Sequence, residues 1–187
     1  RLWAGEEAVS LTQASVEATS TYAGFDPLAA LREEAAATGP APAALSPDDL
    51  RAIRQRLVLE DRRLDLAVTL YTHQLSPRIL SHLEFCDVVS LWTWRAQDLA
   101  HLEGSFARFR ELAPAKRVLL GCYLWDFGTG QPMPLDLMQR QVELGLQWLR
   151  AGQVEGLIFL ATNVLDLGLE TVAWTRNWIA RAGSQAL

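Results

Sequence analysis

The sequence predicts the α/β class, with consecutive strand–helix units feeding a parallel sheet. Three observations carry that prediction. Four apolar runs, LDLAVTLYTHQ (64–74), DVVSLWTW (87–94), RVLLGCYLWDFG (117–128) and VEGLIFLATN (154–163), are each followed by a segment with helical periodicity. The bodies of these runs are apolar on both parities, the habit of strands buried on both faces. Each run exits into polar or aromatic residues, and right-handed crossovers place all four exits on one edge, where ligand chemistry collects.

Residues 1–45 precede this pattern and are rich in Ala, Thr, Ser and Glu, with Gly39-Pro40-Ala41-Pro42 near their end. Only 25–37 carries a helical stripe, so the segment reads as a poorly packed arm, a truncated remnant or a linker. Order is expected over 46–187. Ser46-Pro47-Asp48-Asp49 supplies an N-cap hydroxyl, a first-turn proline and acids at the positive helix end, and Leu50, Ile53 and Leu57 continue a stripe to about residue 61.

Strand 64–73 leads to a short helix begun by Ser76-Pro77, with Ile79, Leu80 and Leu83 on one face. Strand 87–94 leads to a helix over 96–112, striped by Leu99, Leu102, Phe106, Phe109 and Leu112. Strand 117–127 leads through Gly128-Thr129-Gly130 and a Pro-Met-Pro turn to a helix over 135–151, ended by Gly152. Strand 154–162 leads to a last helix over 169–182, with Gly183 in the same terminating role.

Composition removes several classes of function. Half the residues are hydrophobic and the net charge is -5, with no dense Lys/Arg face, which argues against nucleic acid as a partner. No apolar stretch reaches the roughly 18 residues of a membrane span, and no signal peptide is visible, so compartment stays open. Cys86 and Cys122 sit in or beside apolar runs as small buried hydrophobes, and neither CxxC nor His-flanked spacing suggests a metal. No cofactor motif such as GxGxxG or GxxxxGK[ST] follows the first strand.

That absence, with polar and aromatic exits at all four strands, favours four consecutive units of a (β/α)8 (TIM) barrel, most simply its C-terminal half, over an open doubly wound sheet. At 187 residues the chain is short of the about 250 typical of a closed barrel. A half-barrel has bare strand edges, so a homodimer or a missing N-terminal half is expected.

The exits define the candidate site. By strand alternation Thr69, Tyr71 and His73 share one face, as do Ser90, Trp92 and Trp94, while the parity of Tyr123 and Trp125 against Asp126 is left open. Rings that stack on a pyranose, beside groups that bond its hydroxyls, make the inventory of a sugar pocket: Tyr71, His73, Trp92, Trp94, Tyr123, Trp125 and Asn163. The competing reading is that the aromatics fill a barrel end. Asp126 is the catalytic candidate, because an acid closing an apolar strand needs either a pocket or a specific partner; the alternative is a turn acid bonding the 128–130 backbone. His73 reads as an acid/base or a structural histidine, and Asp166 as a hydroxyl ligand or the N-cap of the last helix. His82 and His101 fall on helices away from the rim.

From about residue 64 to 179, the motifs YTHQL, SLWTW, LLGCYLWDFG, PMPLDLM, GLIFLATN and WTRNWI resemble the C-terminal half of glycosidase-like TIM barrels of an uncharacterised bacterial family. The resemblance implies that 117–127 is the seventh barrel strand, and that Asp126 matches the nucleophile many retaining glycosidases carry there. It also implies an acid/base carboxylate on the fourth strand, for which the region before Ser46 offers no counterpart. The expected function is thus carbohydrate-active and glycoside hydrolase-like with an incomplete catalytic pair. The alternatives are a non-catalytic glycan-binding module and a fragment without autonomous function.

Overall fold

The computed structural model describes residues 45–59, 62–161 and 164–183. The expected arm over 1–45 lies outside them except for Leu45. The described chain runs α1 (Pro47–Arg56), β1 (Val58–Leu59), β2 (Arg62–Arg63), β3 (Ala67–Tyr71), α2 (Leu80–Leu83), β4 (Val88–Trp92), α3 (Leu102–Leu112), β5 (Arg117–Tyr123), β6 (Trp125–Asp126), β7 (Gln131–Pro132), α4 (Leu135–Arg150), β8 (Gly156–Leu160) and α5 (Glu170–Ala182).

The main sheet has the order β3-β4-β5-β8, parallel throughout. Each strand sits beside its predecessor, so no reversal of winding occurs. Right-handed crossovers that all advance in one direction lay their helices on one face.

That face is the core. Val89, Leu91, Val118, Leu120 and Cys122 are at most 1% exposed. Phe106 and Phe109 of α3 join Leu70, Val89, Leu91 and Val118 in one cluster. Gly145 lets α4 approach closely: a Cβ there would lie 2.8 Å from Leu120 and 2.9 Å from Leu157. At the last strand, Phe159 meets Trp178 of α5 with ring centroids 5.8 Å apart.

The opposite face carries Thr69, Ser90, Leu119, Gly156 and Ile158, all half-buried or exposed. Thr69 and Ser90 are paired in register there, and their hydroxyls lie 3.2 Å apart.

Local signals explain the elements. Ser46 accepts from the Asp49 N–H at 3.2 Å while the Asp49 carboxylate accepts from the Ser46 N–H at 2.9 Å, a reciprocal cap. Gly152 ends α4 at φ 67°. Arg54 grips Asp87 through both guanidinium nitrogens, one at 2.7 Å, and Asp87 also accepts from the Leu66 N–H at 2.9 Å. These contacts tie α1 to the entrances of β3 and β4.

Five expectations need correction. The first helix stops at Arg56, because the chain turns into the β1–β2 hairpin, Val58 opposite Arg63. The first and last strands start later than expected, at Ala67 and Gly156, since pairing with β4 and β5 begins there. Gly183 lies at φ -68°, so it closes α5 without the left-handed turn. Asp166 does not cap α5; the helix begins after Gly168 at φ 67°, with Leu169 at the cap position.

Candidate functional site

The strand exits gather into one aromatic layer over the C-terminal end of the open face. Register puts Tyr71 beside Trp92 and Trp92 beside Gly121, and Tyr123, two residues on, shares their side. The Trp92 ring lies across the Gly121 Cα: a Cβ at Gly121 would sit 2.0 Å from it. Glycine is required there because the ring occupies the space of a side chain.

From that base the rings chain together. Trp92 and Tyr123 centroids are 4.5 Å apart, Tyr123 and Phe127 4.6 Å, Phe127 and Trp94 5.0 Å, and Trp94 and Tyr71 5.4 Å. Tyr71 stacks on His73 at 5.6 Å. The Tyr71 and Tyr123 hydroxyls meet at 3.3 Å. Either hydroxyl can donate to the other.

Access differs sharply among these residues. Trp92, Trp94, Tyr123 and Trp125 are 7% exposed or less, whereas Tyr71 is half-buried and His73 exposed. The buried rings therefore serve mainly as a packed base, as in the reading of aromatics that fill a barrel end. Trp125 belongs to β6 and to the same core cluster as Trp92, Trp94, Tyr123 and Phe127. Asn163 lies outside the described residues.

His73 and Trp94 lie beyond the strand ends, yet both join the layer that holds Tyr71 and Trp92. Strand β3 ends at Tyr71 and passes into a 3-10 turn over Thr72–Gln74, and β4 ends at Trp92. Both side chains reach the layer from loops. Although the residue is exposed overall, desolvation of the ring where it stacks on Tyr71 holds the His73 imidazole below its ordinary range, with Asp98 opposing that shift and Arg95 adding to it. The ring is therefore neutral at pH 7 and offers both a donor and an acceptor.

Asp126 faces inward at 6% exposure. One carboxylate oxygen accepts from the Ala96 N–H at 3.0 Å and the Gly128 N–H at 2.9 Å; the other accepts from the Thr129 hydroxyl at 2.7 Å. It thereby clamps the loop after β4, which carries Trp94, to the turn between β6 and β7, which begins with Phe127. This is the turn-acid geometry, extended to a second loop. Gly128 is close-packed for the same reason, as a Cβ there would meet Arg95 at 2.6 Å.

Phe127, Gln74 and Ala96 complete the rim and were not singled out by sequence. Phe127 stands in the WDFG motif itself, but Gln74, whose side chain accepts from the Tyr71 N–H at 3.0 Å, and the Ala96 N–H carry no sequence signal. Among the described residues, no group of three or more His, Cys, Asp or Glu is placed to hold a metal, and no helix is long and apolar enough to cross a membrane. Burial raises the Cys122 thiol far above its usual range and also raises that of Cys86, partly opposed by Lys116, which keeps both protonated.

Comparison with protein-family models, curated proteins and solved structures finds no match to this chain.

Proposed function

We propose that this chain forms half of a (β/α)8 barrel and recognises a carbohydrate, or a similarly hydroxyl-rich small ligand, at its strand exits without cleaving it. The single observation behind the recognition is the Tyr71–Tyr123 hydroxyl pair, set on an aromatic base beside neutral His73. Flat apolar surface next to paired hydroxyls suits a sugar ring, whose faces are apolar and whose rim is polar. The barrel reading is supported by the unreversed order β3-β4-β5-β8 and the helices on one face.

The non-catalytic reading is supported by Asp126. Glycoside hydrolysis takes two carboxyl groups, about 5–5.5 Å apart for retention or roughly 6.5–9.5 Å for inversion. The Asp126 oxygens already accept three internal hydrogen bonds, so its chemistry is positional.

Titration of tryptophan fluorescence with glucose, galactose, xylose, N-acetylglucosamine and their β-1,4 oligomers tests the reading. Saturable binding to at least one of them is expected, weakened about tenfold when Tyr71→Phe and Tyr123→Phe are combined, which is about 1.4 kcal/mol. Aryl glycosides of the same sugars should stay intact. No saturable binding across the panel overturns recognition, and hydrolysis abolished by Asp126→Asn overturns the non-catalytic reading.

A further inference from the structure

We propose that the cleft between β8 and α5 is a second ligand site, which takes a small carboxylate with an apolar body of about eight carbons. The cleft has a volume of about 270 Å³ and, among the described residues, shares no lining residue with the aromatic layer at the strand exits. Leu124, Phe159 of β8 and Ala161 wall it on the sheet side. An apolar cavity of about 150 Å³ takes benzene, so this one has room for about ten non-hydrogen atoms.

The face of α5 that lines the cleft consists of Val172, Thr175, Arg176 and Ile179, spaced i, i+3, i+4 and i+7 along the helix. A stripe made only for packing is apolar throughout, as α3 is with Leu102, Phe106 and Phe109. On α5 the two middle places are polar.

Thr175 is 4% exposed, and its hydroxyl has no hydrogen-bond partner among the described residues. A buried hydroxyl left unpaired destabilises the fold, so packing alone does not account for a threonine here. Threonine in a helix divides between two χ1 rotamers, which lets this hydroxyl turn toward an oxygen in the cleft. A ligand oxygen there would satisfy it.

Arg176 lines the same cleft from its solvent side and has no carboxylate partner among the described residues. Its stem lies with the apolar walls while its head stays in water. A carboxylate offers two acceptor oxygens, enough for a hydroxyl and a guanidinium together, whereas an ammonium would be repelled by the guanidinium. The apolar walls, the buried hydroxyl and the cation thus call for one class of molecule, an acid with a short apolar body.

Isothermal titration calorimetry of the full chain with sodium octanoate, kept below the concentration at which it forms micelles, tests the site. One saturable event is expected. Thr175→Val removes only the unpaired hydroxyl, so the variant should fold at least as well as the parent and bind octanoate about fivefold more weakly. Arg176→Gln, at an exposed position, should weaken octanoate about tenfold or more and leave 1-octanol unaffected. Octylamine, protonated at pH 7, should not bind. The chain carrying Tyr71→Phe and Tyr123→Phe should bind octanoate as the parent does, because those hydroxyls belong to the other site. The proposal is overturned if octanoate shows no saturable binding, if octylamine binds equally, or if either Thr175→Val or Arg176→Gln leaves the affinity unchanged. It is also overturned if the paired tyrosine substitutions abolish octanoate binding, which would place the ligand at the strand exits.

Discussion

The two faces of the parallel sheet come from the same four strands and are finished by different means. On the helix side, Val89, Leu91, Val118, Leu120 and Cys122 are sealed to 1% exposure or less by α3, α4 and their neighbours. On the other side, Thr69, Ser90, Leu119 and Ile158 are less buried, and among the described residues cover comes from the chain's own exits: Trp92 lying over Gly121, then Tyr123, Trp94 and Phe127. The difference teaches that winding direction allocates the helices, while a few loop residues decide what happens to the face left over. Asp126 holds that leftover layer together by joining two exits.

The sharpest test of the contrast is a pair of equal truncations. Leu91→Ala on the sealed face should cost about 3 kcal/mol, as a cavity in a packed core, while Leu119→Ala on the open face should cost under about 1 kcal/mol. Urea unfolding midpoints measure both, and equal losses would erase the distinction. Next in size is Gly121→Val, which places side-chain atoms where the Trp92 ring lies. A loss of about 2 kcal/mol is expected from overpacking, together with a changed near-ultraviolet circular dichroism from the displaced tryptophan.

A third test concerns the entrance end of the sheet rather than its exits. Burial works to raise the Asp87 carboxyl, but the Leu66 N–H and Arg54 outweigh it and hold the group below its ordinary value of 3.8. A carboxyl lowered on folding contributes stability that is fully present above the unfolded value and lost as pH falls through the folded one. Denaturation midpoints should therefore drop on acidification below about pH 4, and Asp87→Asn should flatten that part of the profile. The smallest effect is expected from Thr175→Val on α5. The Thr175 hydroxyl is buried and has no hydrogen-bond partner among the described residues. Its replacement by a methyl should be neutral or stabilising by up to about 1 kcal/mol, read as a shift in thermal midpoint.

Much of the fold was legible because its signals are local. The reciprocal Ser46–Asp49 cap, the terminating role of Gly152 and the four apolar runs depend on neighbours in sequence, and all reappear in the structure. The site was legible in composition but not in geometry. Tyr71, His73, Trp92, Trp94, Tyr123 and Asp126 do converge at the strand exits, but His73 and Trp94 arrive there from loops, because pairing stops two residues earlier and the chain turns. Gln74 and the Ala96 N–H were invisible because each acts through a single hydrogen bond, and that of Ala96 goes to a residue 30 positions away.

The sequence by itself determined the α/β class, the order of the strand–helix units and the clustering of aromatics at their exits. Those follow from hydrophobic period and turn chemistry, which act over a few residues. Only the tertiary structure decided that the strands lie side by side without reversal, and that Asp126 turns inward to clamp two loops. Each of these depends on which distant groups meet, and a carboxylate or a strand edge has the same local sequence whether its partner is water, a loop or another strand.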